Sequence, residues 1–257
     1  MGLTKLILKF AAPLPKIERY QRFLFIGPHP DDIEIGAGAT AARLAADGKD
    51  VCFLIATDGR FGLGNAPEGT TPETLVPIRK DEAIRSAAHL GVTDVRFLGL
   101  SDGGFYGYAS LRDGIAKTVG EFQPDVIFAP DPCVTSETHR DHLNVGEAAR
   151  EIANFAPYGE IMEGFGAEKA PVEAVAFYMT AKPTRFVKTT GYLKKQLESV
   201  FTIHKSQFPE GCGDAKSIPL YLKLRAAEFG LRSFNRTAEG FRVLGRTQLH
   251  CLPEAGK

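Results

Sequence analysis

Four short apolar runs divide the first half of the chain: RFLFIG (22–27), VCFLIAT (51–57), VRFLGL (95–100) and DVIFAP (125–130). Each stops at a polar or glycine-rich stretch, and segments of helical character lie between them. An unbroken apolar run of this length suits a strand buried on both faces, and parallel neighbours require a crossover long enough to hold a helix. The alternation therefore predicts an α/β chain: a Rossmann-like, mostly parallel sheet flanked by helices in three α/β/α layers. The helices expected are GATAARLAADG (38–48), IRKDEAIRSAAHLG (78–91, with Gly91 as its stop) and LNVGEAAREIANFA (143–156).

From about residue 157 the pattern loosens. EAVAFYMTA (173–181) reads as a strand, and residues 189–208 and 218–234 each read as one helix. There is no repeat and no low-complexity linker, so one domain is expected over residues 1–257, with 22–156 as the catalytic core and 157–257 completing the fold and walling a pocket. Residues 59–76, rich in glycine, proline and threonine, are expected to form a mobile flap over that pocket.

Lysine plus arginine equal aspartate plus glutamate at 31 each, and no basic cluster with interleaved aromatics occurs, which argues against a nucleic-acid partner. No apolar run reaches the roughly 20 residues that span a bilayer. The opening MGLTKLILKFAAPLPKIERY shows no signal-peptide cleavage site, and Leu6 stands where an acylation motif wants Ser or Thr. A loose amphipathic start and a cytoplasmic location are expected, and a homo-oligomer stays open. Cys52, Cys133, Cys212 and Cys251 form no C-x-x-C pair and read as reduced, mostly packing residues.

Chemistry concentrates at two strand ends. His29, Asp31 and Asp32 follow the first run, and His139, Asp141 and His142 follow the fourth. Ligands of open parallel sheets bind outside the carboxyl ends of the strands, where these clusters can meet. Two imidazoles and a carboxylate with one open position make a common catalytic zinc site, and a spare carboxylate beside it can act as a general base. Taken singly, each cluster has a plainer reading: Asp31 and Asp32 as N-cap and first-turn acids, and HRDH as a solvated turn. Together they point to a metal.

The stretches PHPDDIEIGAGAT, ATDG, RKDEAIRSAAHLGV, PDVIFAP and HRDH resemble the PIG-L/LmbE family of zinc-dependent N-deacetylases over residues 22–150, with echoes in HKSQF (204–208) and AEGF (238–241). The resemblance implies one Zn2+ per chain held by His29, Asp32 and His142. It implies Asp31 as the base that deprotonates the attacking water, and His139, oriented by Asp141, as the group that stabilises the oxyanion and protonates the departing amine. The implied substrate is a small N-acetylated sugar or conjugate of the N-acetylglucosaminyl type, and Arg79 is implied to hold sugar hydroxyls. Two positions depart from the family pattern: Arg140 where proline is frequent, and Ile33 where some relatives have glutamate.

Weaker positions keep two readings each. Arg79 could instead pair with Glu82 on the helix surface. Asp102, in LSDGG at a further strand end, could contact substrate or simply form a turn. His204 reads as a capping or surface residue, with a place in the pocket as its second reading. Two other functions remain: hydrolysis of another amide, as in a thiol conjugate or modified antibiotic, and a non-catalytic nucleotide- or sugar-binding module. GAGAT lacks the full G-x-G-x-x-G, and two carboxylates beside it would repel a pyrophosphate. Its small residues are expected to let a helix pack closely on the sheet.

Overall fold

Five strands run parallel: β1 (Arg22–Gly27), β2 (Asp50–Thr57), β3 (Asp94–Leu100), β4 (Val126–Pro130) and β5 (Ala174–Tyr178). In this computed structural model, which describes residues 10–250 and 252, the sheet order is β3-β2-β1-β4-β5-β7-β6. Strands β6 (Arg185–Lys188) and β7 (Ala238–Gly245) complete it, β7 lying antiparallel to both neighbours. The mostly parallel α/β sheet expected from the sequence is the observed one. Most of the amphipathic start, residues 1–9, and Cys251 lie outside the described residues.

The strands alternate their side chains between two cores. Phe23, Phe25, Phe53, Phe128, Tyr178 and Phe241 face α1 (Asp32–Ala46) and α2 (Pro72–Leu90), and the Phe25 and Phe128 rings stack with centroids 4.2 Å apart. Leu24, Ile26, Leu54 and Ile127 face α3 (Tyr108–Phe122) and α4 (Arg140–Phe155). The helix after β1 thus covers one face and the helix after β4 the other. Because β1 and β4 are neighbours, their carboxyl ends border the crevice where the winding reverses.

The remaining helices are α5 (Gly159–Gly164), α6 (Leu193–Glu198), α7 (Asp214–Arg232) and α8 (Arg246–Leu249). Several boundaries differ from expectation. The helix expected over 189–208 is α6 followed by a π-helical turn, Ser199–Ile203, after which His204–Phe208 turns away. Helix α2 starts at Pro72, because Thr71 accepts from Thr74 N–H in a capping box, so its first turns occupy the end of the expected flap. Residues 59–65 are also tied down: Gln207 Nε2 donates to Gly62 O and Asn65 Nδ2 donates to Gln207 O, both at 2.9 Å. Of the cysteines, Cys52 is buried as a packing residue should be, whereas Cys133 is exposed.

Helix α1 has an unusual middle. The Glu239 carboxylate accepts from the N–H groups of Ala39 and Thr40, and Gln196 Nε2 donates to the carbonyls of Glu34 and Ile35 while bonding Glu239 at 2.8 Å. Side chains from α6 and β7 thereby reach backbone groups in mid-helix, an approach that small residues permit. A Cβ on Gly36 would lie 2.2 Å from the Tyr178 ring, and one on Gly38 3.1 Å from Gln196. GAGAT is therefore a packing element, as expected.

Gly36→Ala is expected to cost about 1–3 kcal/mol by overpacking against Tyr178, read as a lower urea midpoint. Burial lifts the Glu239 carboxyl to about 7, against its ordinary 4.5. A carboxyl that binds its proton more tightly when folded contributes stability at low pH that fades as pH rises from about 4.5 to about 7. Glu239→Gln should remove that slope, so its denaturation midpoint should improve relative to the parent chain between pH 5 and pH 7. A constant difference would contradict this.

Candidate active site

Beyond β1 the chain turns through Pro28–Asp31 into α1, and one carboxylate organises the turn. Asp32 Oδ2 accepts from His29 N–H at 2.9 Å and lies 3.0 Å from His29 Nδ1 and 3.4 Å from His142 Nε2. Ligand atoms about 2.0–2.1 Å from a tetrahedral ion sit about 3.3 Å from one another, so these spacings suit a single metal. His29, Asp32 and His142 are thus brought together as a donor set for a divalent ion.

The same charges explain how the groups titrate. Burial opposes a charge on His29, but hydrogen bonds to Asp141 and Asp32 outweigh it and lift the imidazole to about 10. Burial also works against the Asp32 anion, yet His142 and His29 hold its carboxyl well below the usual range. For His142, attraction to Asp32 overcomes burial and the ring shifts upward.

Asp141 is fully buried at the start of α4 and accepts three bonds: from His29 Nε2 at 2.9 Å, Gly103 N–H at 2.7 Å and Gly104 N–H at 2.9 Å. Gly103 and Gly104 both have positive φ, 74° and 78°, and glycine is what lets two successive amides aim at one carboxylate. The family resemblance implies that Asp141 orients His139; the short bond of Asp141 goes instead to His29, and its distance to His139 Nδ1 is 3.7 Å. His139 instead caps α4, its Nδ1 accepting from Asp141 N–H at 3.3 Å. With Nδ1 an acceptor, the proton of the neutral ring resides on Nε2. Burial and the neighbouring His29 and His142 push this half-exposed imidazole below its ordinary value.

Asp31, as buried as its neighbour, differs from it in backbone conformation and in partners. Its φ of 127° is a strained backbone conformation for a residue with a Cβ, and its side chain makes no capping bond. Arg79 Nη2 reaches Asp31 Oδ2 at 3.1 Å and Pro30 O at 2.8 Å, while Nη1 donates to Gly59 O at 3.0 Å. Burial raises the Asp31 carboxyl to about 6 although Arg79 pulls it down. The surface pair between Arg79 and Glu82 does not form, because Arg79 is buried and Glu82 accepts from Ser206. Asp102 is a buried acceptor for Phe61 N–H at 3.2 Å, and burial shifts its carboxyl upward.

Three further groups have partners that the sequence reading did not assign. Glu137 Oε2 lies 3.2 Å from His142 Nδ1, and Oε1 accepts from His139 N–H; its place two residues before His139 was the available signal. His204 is no surface residue: it is fully buried, its Nε2 3.2 Å from Glu34 Oε1. Ser206 serves Glu82, a pairing across 124 residues that nothing local announces.

Residues 24–153 match the PIG-L family, described as GlcNAc-PI de-N-acetylase. The chain is 32% identical over 256 residues to a diacetylchitobiose deacetylase of Thermococcus kodakarensis, covering 98% of this chain and 93% of the relative. A 1D-myo-inositol 2-acetamido-2-deoxy-alpha-D-glucopyranoside deacetylase of Kineococcus radiotolerans is 32% identical over 205 residues, 69% of this chain and 56% of the other. The solved structure of N,N'-diacetylchitobiose deacetylase from Pyrococcus horikoshii superposes with a TM-score of 0.86 at 28% identity, covering 98% of this chain and 97% of that one.

A carboxylate behind a ligating histidine fixes its tautomer and ring orientation. Asp141→Asn is therefore expected to weaken metal affinity by about 10–100-fold, measured by competition with a chromophoric chelator; unchanged affinity would show that His29 needs no such support.

Proposed function

This chain belongs to the PIG-L family, and we propose that it removes the acetyl group from an N-acetylglucosaminyl-type substrate with zinc as its metal. The observation that carries the reading is the division of labour between adjacent carboxylates: Asp32 lies between two imidazoles, and Asp31 is turned away and held by an arginine. Environments that separate two neighbouring acids in this way assign them different roles. Bound zinc would be held by His29, Asp32 and His142, and it supplies an acidified water and a polarised acyl carbonyl.

Asp31, whose carboxyl burial raises to about 6 while Arg79 holds it as an anion above that, takes the proton of the attacking water. His139 presents Nε2–H to the acyl oxygen as negative charge develops there, and the proton that Asp31 takes from the water passes to the departing amine as the C–N bond breaks, which returns Asp31 to its anion. Asp141 and Glu137 orient the imidazoles. Arg79 fixes Asp31. The names of the relatives support an acetamido sugar as the group acted on. Among the described residues no helix is long and apolar enough to cross a membrane.

The test is release of acetate from N-acetylglucosamine and N,N'-diacetylchitobiose, with elemental analysis of the same protein. About one zinc per chain is expected. Asp31→Asn should keep the metal and lose about 10²–10⁴-fold in turnover, whereas His142→Ala should lose both. Iron or manganese in place of zinc would correct the metal, since this ligand set accepts several ions. A near-normal rate in Asp31→Asn would remove it as the base.

A further inference from the structure

The segment His204-Lys-Ser-Gln207 follows the π-helical turn in the stretch 157–257, which supplies none of the clustered histidines and aspartates. It meets two buried acids. Glu34 is 1% exposed and Glu82 is 3% exposed, and acids so deep need partners. Both receive theirs from this one segment. His204 Nε2 bonds Glu34 Oε1 at 3.2 Å, while Ser206 gives Glu82 its N–H at 2.8 Å and its hydroxyl at 2.6 Å.

The positions of the two acids give the contacts their meaning. Glu34 lies in the first turn of α1, two residues after Asp32. Glu82 lies three residues after Arg79 on α2, hence on the same face of the helix. The next residue, Gln207, donates to Gly62 O and accepts from Asn65 Nδ2, which holds the 59–65 loop whose Gly59 carbonyl receives Arg79 Nη1. One turn of chain therefore grips the three elements that converge on Asp31: its own helix start, the helix that carries Arg79, and the loop that anchors the Arg79 guanidinium.

We propose that the His204–Gln207 segment positions the general base of the deacetylation: it sets α1, α2 and the 59–65 loop in mutual register so that Arg79 holds Asp31 in its strained geometry. This rests on the reading of Asp31 as the base. His204, Ser206 and Gln207 are positioning residues, acting through Arg79 and Asp31. A displacement of the order of 1 Å at a reacting group can cost about a hundredfold in rate, so a clasp at this remove can matter for turnover without touching substrate.

The experiment is a double-mutant cycle between Ser206→Ala and Asp31→Asn in the zinc-loaded protein, reading kcat, KM, metal content and thermal midpoint. Ser206→Ala is expected to lower kcat about 10- to 100-fold with KM and metal content near those of the parent chain, and Ser206→Thr, which keeps the hydroxyl, to restore most of it. In the Asp31→Asn background the same Ser206→Ala change should cost less than about threefold, because two residues acting through one function are not additive. Equal losses in both backgrounds, a kcat within about twofold of the parent chain, or a loss that tracks departure of the metal would each overturn the proposal. A near-normal rate in Asp31→Asn would bring down the base and this proposal together; an inactive Asp31→Asn beside an unaffected Ser206→Ala would bring down this proposal alone. Should Ser206→Ala not accumulate as folded protein, Gln207→Ala, on a half-buried side chain, carries the same cycle.

Discussion

The buried carboxylate of Asp141 is the contact on which the rest of the site depends. An anion with no access to solvent is tolerated only when donors surround it, and here the donors come from the ends of two other strands: His29 after β1, and Gly103 and Gly104 after β3. The need to satisfy one charge thereby ties three strand-end loops into a single body. His29 is fixed by it, Asp32 meets the other nitrogen of the His29 ring and His142 meets Asp32, and His139 caps the helix whose second residue is Asp141.

Adjacent residues with opposed environments complete the arrangement. Asp32 is stabilised as an anion by two imidazoles, while Asp31, one peptide away, is pushed toward its neutral form by burial. The separation is produced by the backbone: the φ of 127° at Asp31 rotates its side chain away from its neighbour and toward Arg79. Strain of about 1–3 kcal/mol at such a residue persists only where the surroundings over-determine it, and the bonds of Arg79 to both Pro30 O and Asp31 supply that determination.

How much of this was legible in the sequence follows from the range of each interaction. The parallel strands could be read because burial on both faces leaves a local signature, an unbroken apolar run such as RFLFIG. Strands β6 and β7 and helix α3 were missed: β6 has four residues, β7 carries Glu239 and Arg242 within its buried run, and α3 is interrupted by Gly114 and Gly120. The two polar clusters could be found because each lies within a few residues at a strand end. Which partner each side chain chooses could not, since Asp141 meets His29 across 112 residues and His204 meets Glu34 across 170. Arg79 shows the limit well: a surface ion pair with Glu82 suits the helical spacing, and only the folded chain reveals that both side chains are buried and committed elsewhere.

The mid-helix contacts of α1 also bear on the order in which the chain assembles. Backbone groups of Ala39 and Thr40 are served by Glu239, about 200 positions later, and the carbonyls of Glu34 and Ile35 by Gln196. Contacts so distant along the chain form slowly, because the loop must close before they contribute. As the polypeptide emerges from the ribosome, β1 and β2 can pair long before β7 has been synthesised, but the bonds that Glu239 makes to the helix starting at Asp32 can form only after β7 exists. The early-made half of the sheet and the late-made strand that completes it are thus linked in time as well as in space.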